Sequence, residues 1–154
     1  MSTSTQSPQQ VDVRGPRFVA WVTTAVLIIT LLVSVTSPVA AAVLLGVQAV
    51  VFAIGAKFGP REHPYGRIFA SAIAPRLGPV TEREPVAPLK FAQLVGFVFA
   101  AAGTLGFAIG IPLLGIIATA FALFAAFLNA AFGICLGCQL YPFLVRLRRT
   151  PVSN

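Results

Sequence analysis

Two cysteines three residues apart, Cys135 and Cys138, are the side chains of this 154-residue chain best suited to chemistry. Residues at positions i and i+3 of a helix share one face, and their Cα atoms lie about 5 Å apart, a separation that a disulfide accepts. A Cys-x-x-Cys pair is also a recognised redox spacing. The spacing therefore indicates a pair that can alternate between dithiol and disulfide without large backbone movement, and in the cytosol we expect it to rest mainly reduced.

Inert packing is the alternative interpretation of the pair, because a buried cysteine behaves as a small hydrophobic residue. We predict no metal site, since two thiolates complete only half of a tetrahedral set. The pair falls at the predicted carboxyl end of the last membrane helix, where carbonyl dipoles disfavour a thiolate. Gly133 and Gly137 would let the helix unwind there, and positive potential would come from Arg146, Arg148 and Arg149. The sequence leaves open which cysteine attacks.

The elements that position the cysteines are predicted to be membrane-spanning helices. Hydrophobic residues make up 57 % of the chain and charged residues 10 %, whereas a soluble domain carries about 25 % charged residues. The blocks 18–56 and 91–145 contain no Asp, Glu, Lys, Arg or His. Because a span needs about 20 apolar residues, each block holds two. We therefore predict an all-α membrane protein with four transmembrane helices arranged as two hairpins, over residues 18–36, 39–56, 91–110 and 112–136, in one domain covering 11–149.

Prolines mark the two predicted turns and interrupt the loop between the second and third spans. Ser37–Pro38 and Ile111–Pro112 are predicted tight turns between paired helices. The cytoplasmic loop 57–90 contains six prolines, which forbid one continuous helix. Within this loop, 65–74 predicts a short interfacial helix with its apolar side toward lipid and Arg67 toward water. We expect a disordered tail at 1–10, a second tail at 150–154 and no cleaved signal peptide.

Small and polar residues inside the apolar blocks predict how the helices pack. Ala and Gly recur every four residues in the third and fourth helices, and we expect the two small-residue faces to meet. The members of these faces are Ala102, Gly106, Gly110, Ala118, Ala122, Ala126 and Ala130. Gln48 and Asn129 are expected to face other helices, because an amide in hydrocarbon needs a partner. His63, the single histidine, is expected at the surface rather than on a metal.

Charge predicts the orientation in the membrane. The net charge is +7, and all eleven Lys and Arg residues lie before the first span, in the central loop or after the last span. This distribution predicts a multi-pass protein of the inner (cytoplasmic) membrane with both termini cytoplasmic. It argues against nucleic acid, whose binders concentrate basic residues on a folded face. The basic residues we expect to bind a partner or anionic lipid are Arg14, Arg17, Arg67 and Arg146.

The segment 11–18 has two interpretations. It is a solvated flank of the first span, or an ordered segment in which Asp12 pairs with an arginine at the membrane surface.

Several segments together resemble a family of small bacterial membrane proteins catalogued as domain of unknown function 4395. The matching residues are Asp12, Arg14, Arg17 and Phe18, then Pro88, Lys90, Phe91, Ala92 and Gln93, and finally Gly133, Cys135 and Cys138. Lys90 stands where the family pattern suggests Arg. The resemblance covers almost the whole chain after the tail and implies a thioredoxin-like or sulfur-transfer protein as partner.

The leading hypothesis is a thiol-redox or sulfur-transfer component in which one cysteine attacks a partner's disulfide or persulfide and the other resolves the mixed species. The alternative is a non-catalytic scaffold or small subunit of a larger membrane complex. A transporter is less favoured, because the spans carry no ionisable residue. The expected partners are the lipid bilayer, the soluble thiol protein and a second copy of the chain in a homo-oligomer. No cofactor is indicated.

Overall fold

The structure is a computed structural model that describes residues 9–149. Four long apolar helices confirm the predicted membrane-helix content, and each is 21 to 23 residues long, enough to cross a hydrocarbon core of about 30 Å. They are α1 (Arg14–Ser34), α2 (Pro38–Phe58), α4 (Val86–Ala108) and α5 (Pro112–Phe132). The shorter elements are strand β1 (Gln10–Asp12), α3 (Pro64–Ile68), strand β2 (Arg83–Pro85) and α6 (Leu136–Arg149).

Both predicted proline turns are present. The Ser37 hydroxyl accepts a hydrogen bond from the backbone N–H of Ala40 at 3.1 Å, and Pro38 opens α2. Pro112 opens α5 in the same way. The helices α1 and α4 begin four to five residues before the apolar blocks, at Arg14 and Val86. The first turn of each helix contains a proline, Pro16 in α1 and Pro88 in α4. A proline is tolerated there because the first N–H groups of a helix have no partner within the helix, and charged side chains are tolerated in this turn as well.

The predicted fourth span, 112–136, is divided. Helix α5 ends at Phe132, and Gly133 adopts a left-handed conformation (φ 69°) while its N–H donates to the carbonyl of Asn129. A left-handed glycine is a common helix terminator, since it lacks the Cβ that makes this conformation costly. After two further residues, α6 begins at Leu136, the last residue of the predicted span, and continues through Pro142.

A two-stranded antiparallel ribbon was not expected in an all-α protein. Strand β1 pairs with β2, with Val11 opposite Glu84 and Gln10 opposite Pro85. The strands immediately precede α1 and α4, so the ribbon ties the starts of these helices together. It also includes Gln10, the last residue of the predicted tail, in the folded part. The Asp12 carboxylate pairs with the Arg14 guanidinium at 2.7 Å, which supports the ordered interpretation of this segment.

The long helices pack chiefly as α2 against α4 and α1 against α5. Buried aliphatic and aromatic side chains form the core, including Leu27, Leu45 and Phe107. The α4–α5 contact is made by small residues: a Cβ added to Gly106 would lie 2.6 Å from the backbone nitrogen of Gly115. The predicted small-residue contact is present in part. Gly106, Ala118, Ala122 and Ala130 are buried, whereas Gly110 lies exposed in the turn with a positive φ.

The helical segment of the central loop rests on α1. Helix α3 continues through a π turn at Phe69–Ile73 and a 3-10 turn at Ala74–Arg76. Phe69 is buried with its ring centroid 5.9 Å from that of Phe18, whereas Arg67 is exposed. The loop is therefore held to the bundle by an aromatic contact.

Candidate functional site: a disulfide beside an apolar cavity

The two cysteines are joined in a disulfide with a Cα–Cα separation of 5.2 Å, close to the separation expected from their spacing. Cys135 lies in the break between α5 and α6, and Cys138 lies in the first turn of α6. Both residues are half-buried. The pair therefore straddles the start of a helix.

This position reverses the expectation that the pair sits at the carboxyl end of a helix. The backbone N–H of Cys138 donates to the Sγ atom of Cys135 at 3.1 Å, and the N–H of Gln139 donates to the Cys135 carbonyl. Cys135 thus occupies the capping position of α6, where unpaired N–H groups and the helix dipole favour negative charge. On reduction, a Cys135 thiolate would be stabilised by the same groups. The reason is Gly133, which ends α5 before the cysteines.

Helix α6 is positioned by close contact with the start of α4. A Cβ added to Gly137 would lie 2.6 Å from the Cα atom of Ala92. One turn later, the ring centroids of Tyr141 and Phe91 are 6.1 Å apart. Because no side chain separates Gly137 from α4, the disulfide is brought to the end of the bundle where α4 begins.

An apolar cavity of about 360 Å³ lies beside the disulfide. Cys135 is part of its wall, whereas Cys138 is not. Two side-chain amides, Gln93 and Asn129, also line it, and most of the remaining lining is aliphatic or aromatic. Phe121 belongs to the lining although 58 % of it is exposed, so the cavity reaches the outer surface of the helices. The expected burial of Asn129 against the bundle is met in part, since it is half-buried.

His63 is buried, contrary to the surface position expected for it. It is 1 % exposed, and its Nδ1 atom accepts a hydrogen bond from the backbone N–H of Tyr65 at 3.2 Å. Burial lowers the pKa of His63 to about 4, and a polar contact with Gln93 opposes that shift. Neutral imidazole that accepts at Nδ1 carries its proton at Nε2. Within residues 9–149, neither His63 Nε2 nor Gln93 Oε1 meets hydrogen-bond geometry.

Gln48 and Tyr65 extend this buried polar group. The Tyr65 hydroxyl donates to Gln48 Oε1 at 2.8 Å, and Gln48 is 1 % exposed, which confirms that it packs against another helix. Burial raises the pKa of Tyr65. A small second cavity lies between His63 and Gln93, and Gln93 lines both cavities. The buried polar group is therefore continuous with the wall of the larger cavity.

The four arginines predicted to bind a partner or anionic lipid do not form one cluster. Arg14 is held by Asp12 and also donates to the Gly78 carbonyl at 3.1 Å, and its hydrogen bond to Asp12 lowers the pKa of that carboxyl. Arg17 donates to the Ala130 carbonyl in the last turn of α5 at 3.3 Å. Arg67 and Arg146 are exposed. Of these four arginines, Arg14 and Arg17 therefore make side-chain hydrogen bonds within the described residues 9–149, and a binding role for all four stays a prediction.

Sequence reasoning missed His63 and Gln93 as parts of the site. A signal for Gln93 was present: it is an amide in an apolar helix, the same feature that identified Gln48. His63 precedes Pro64, and a polar residue before a proline at the first position of a helix is typical of a cap. Neither pattern predicts burial by itself.

The fold and the site define a class of protein: a chain with four helices able to cross a membrane and a disulfide at a helix break near one end of the bundle. The family model described as domain of unknown function (DUF4395) matches residues 11–146. The chain belongs to this family. No curated protein and no solved structure matches it.

Proposed function

We propose that this protein is a membrane-embedded thiol–disulfide exchange component and that Cys135 and Cys138 are its reacting groups. The observation that carries the proposal is the position of the Cys135 sulfur at the amino end of α6, where it accepts the Cys138 N–H. A thiolate is the reactive form of cysteine, and a helix amino end favours it. Inert packing would not require this arrangement.

The proposed topology places the disulfide at the cytoplasmic face. Four helices form two hairpins, and all eleven basic residues lie outside the turns 35–37 and 109–111 that join α1 to α2 and α4 to α5. The positive-inside rule then orients both termini and the loop 57–90 toward the cytoplasm of a cell with an inner membrane. The segment containing α3 would lie in the interface plane, with exposed Arg67 available to anionic lipid.

The exchange conserves electrons between the pair and its partner. In the forward direction, one thiolate attacks the partner's disulfide, one partner sulfur leaves as a thiolate, and a mixed disulfide forms. The second cysteine then attacks its neighbour's sulfur, which releases the partner as a dithiol and forms the Cys135–Cys138 disulfide. The reverse sequence oxidises a partner dithiol. A thioredoxin-like or sulfur-transfer protein is the proposed partner. With a partner persulfide, the thiolate attacks the outer sulfur and the partner leaves as a thiolate; the second cysteine then attacks the transferred persulfide, which forms the Cys135–Cys138 disulfide and releases hydrosulfide.

A trapping experiment tests this proposal. Cys135→Ser and Cys138→Ser variants would be expressed in cells that lack the chromosomal copy, and the cells would be lysed with an alkylating agent. One of these variants should retain a disulfide-linked soluble protein, because its mixed disulfide lacks the resolving thiol. The double variant is the matched control and should retain none. Empty traps for both single variants would contradict the exchange function.

The scaffold alternative gives a different result in the same strains. A scaffold acts through its helix faces, so the double cysteine variant would fully complement the loss of the gene. Thiol exchange predicts no complementation by the double variant, at an expression level equal to that of the native chain. Immunoblotting of the membrane fraction measures that level.

A further inference from the structure

The cavity beside Cys135 has walls that suit a flat, apolar ligand with hydrogen-bond acceptors. Four phenylalanine rings line it, and aromatic faces pack well against a conjugated ring. These are Phe52, Phe99, Phe121 and Phe124. Its volume of about 360 Å³ is within the range of small-molecule sites, roughly 300–1,000 Å³.

Two side-chain amides in the lining distinguish this cavity from a purely apolar groove for an acyl chain. Gln93 and Asn129 present polar groups in a largely apolar wall, and burying an amide without a partner costs free energy. A hydrocarbon chain can neither donate to nor accept from them. The side-chain N–H groups of these amides can donate to the carbonyl oxygens of a ligand, and the amide oxygens can accept from its hydroxyl groups.

The cavity also has an opening suited to a ligand with a long apolar tail. Phe121 and Phe124 line it and are each 58 % exposed on the lipid-facing side of α5. The ring of Phe99 on α4 stacks on Phe121 with centroids 5.8 Å apart. The tail of a ring bound inside would leave past the exposed rings of Phe121 and Phe124 into the bilayer.

We propose that this cavity binds a lipid-soluble quinone that reoxidises the reduced Cys135–Cys138 pair. This inference rests on the proposed thiol exchange and names its electron acceptor. Cys135, the cysteine in the cavity wall, lies next to the quinone, whereas Cys138 lies outside the lining. Gln93 and Asn129 hold the quinone oxygens.

The redox step balances between the two groups. The dithiol loses two S–H bonds and forms the Sγ–Sγ bond. Its two electrons and two protons pass to the quinone, whose two carbonyl oxygens become the hydroxyls of a quinol. One disulfide therefore forms for each quinone reduced, and no other oxidant is required.

Binding is tested separately from oxidation in the cysteine-free variant, Cys135→Ser with Cys138→Ser. The full chain in detergent micelles would be mixed with decylubiquinone, and thermal unfolding would be followed by circular dichroism. We expect the unfolding temperature to rise by roughly 5 °C at about 100-fold excess over Kd. Decylcyclohexane carries the same tail without carbonyl groups and should give no comparable rise. Equal shifts with both probes would mean that the cavity takes apolar chains only and would overturn the proposal.

Cavity variants test the location of binding. Ala125 lines the cavity, whereas Ala120 on the same helix is exposed and does not. Ala125→Leu should weaken decylubiquinone binding at least ten-fold, and Ala120→Leu should leave it unchanged. Asn129→Leu supplies a second cavity variant should Ala125→Leu fail to fold, with Gln139→Leu on exposed α6 as its control. Unchanged affinity in folded Ala125→Leu or Asn129→Leu would overturn the assigned site.

Oxidation is measured with the pre-reduced native chain. Decylubiquinone should convert the dithiol to a disulfide with one quinol formed per pair, measured by thiol alkylation and by quinone absorbance. Quinone binding without thiol loss would overturn the proposal. A pair that exchanges with its trapped partner but is not oxidised by quinone would overturn this inference alone. A pair oxidised by quinone that traps no partner would overturn the exchange function instead.

Discussion

Acidification should destabilise this protein through its one histidine. His63 is 1 % exposed and neutral, and burial lowers its pKa from 6.5 to about 4. Between these two values the unfolded chain binds a proton that the folded chain does not. Stability is therefore fully present above the unfolded value and is lost as the pH falls toward the folded value.

The magnitude follows from the two pKa values. At about pH 5, protonated histidine exceeds neutral histidine by about thirty to one in the unfolded chain, while His63 of the folded chain is still mostly neutral. Proton binding then favours unfolding by about 2 kcal/mol relative to about pH 7.5. A loss of this size lowers the unfolding temperature by roughly 5 °C for a chain of this length.

The matched variant is His63→Asn, because asparagine also caps a helix but does not titrate. Thermal unfolding in a neutral detergent would be measured for both proteins at about pH 7.5 and about pH 5. Glu84 contributes in the opposite direction, since burial raises its pKa, but it is present in both proteins and cancels in the comparison. The native chain should lose about 2 kcal/mol more than the variant over this interval. Equal losses would refute the buried, neutral histidine.

Three further substitutions test a helix cap and two close contacts between helices. Ser37→Ala removes the side-chain cap of α2 and should cost about 1 kcal/mol in unfolding, whereas Ser37→Asn should cost little. Gly106→Ala should lower the unfolding temperature because its Cβ would meet the α5 backbone at 2.6 Å, while Gly46→Ala, with only an ordinary contact at 3.6 Å, should be neutral or stabilising. Gly137→Val should displace α6 from α4 and speed alkylation of the reduced cysteines, as measured by gel shift, and an unchanged alkylation rate would contradict the α4–α6 contact.

The helix content was predictable because it follows from local features. Charge-free blocks of about twice the span length, divided by prolines, place four long helices, and Ser37 caps one of them as its type suggests. The disulfide-compatible separation of the two cysteines was predictable from the three-residue spacing, although the pair was expected to rest mainly reduced. Each of these properties depends on neighbours within a few residues in the chain.

The parts that could not be predicted depend on tertiary contacts. Hydropathy runs unbroken through 112–145, so it does not show that Gly133 takes a left-handed conformation and starts a new helix. The pairing of Val11 with Glu84 joins segments more than seventy residues apart in sequence, and three-residue strands leave no periodic signal. The burial of His63 depends on α2 and α4 closing around it. These are the contacts that determine the helix end at which the cysteines sit.

The ribbon between β1 and β2 holds together two segments of the chain that are connected by an exposed stretch. Residues 77–82 are exposed, and they connect one segment carrying β1, α1, α2 and α3 to another carrying β2, α4, α5 and α6. The two segments share the ribbon and the extensive α2–α4 contact. A chain split within this stretch therefore retains every interface needed for its fragments to reassociate, so the gene could be separated into two coexpressed halves that reconstitute the bundle.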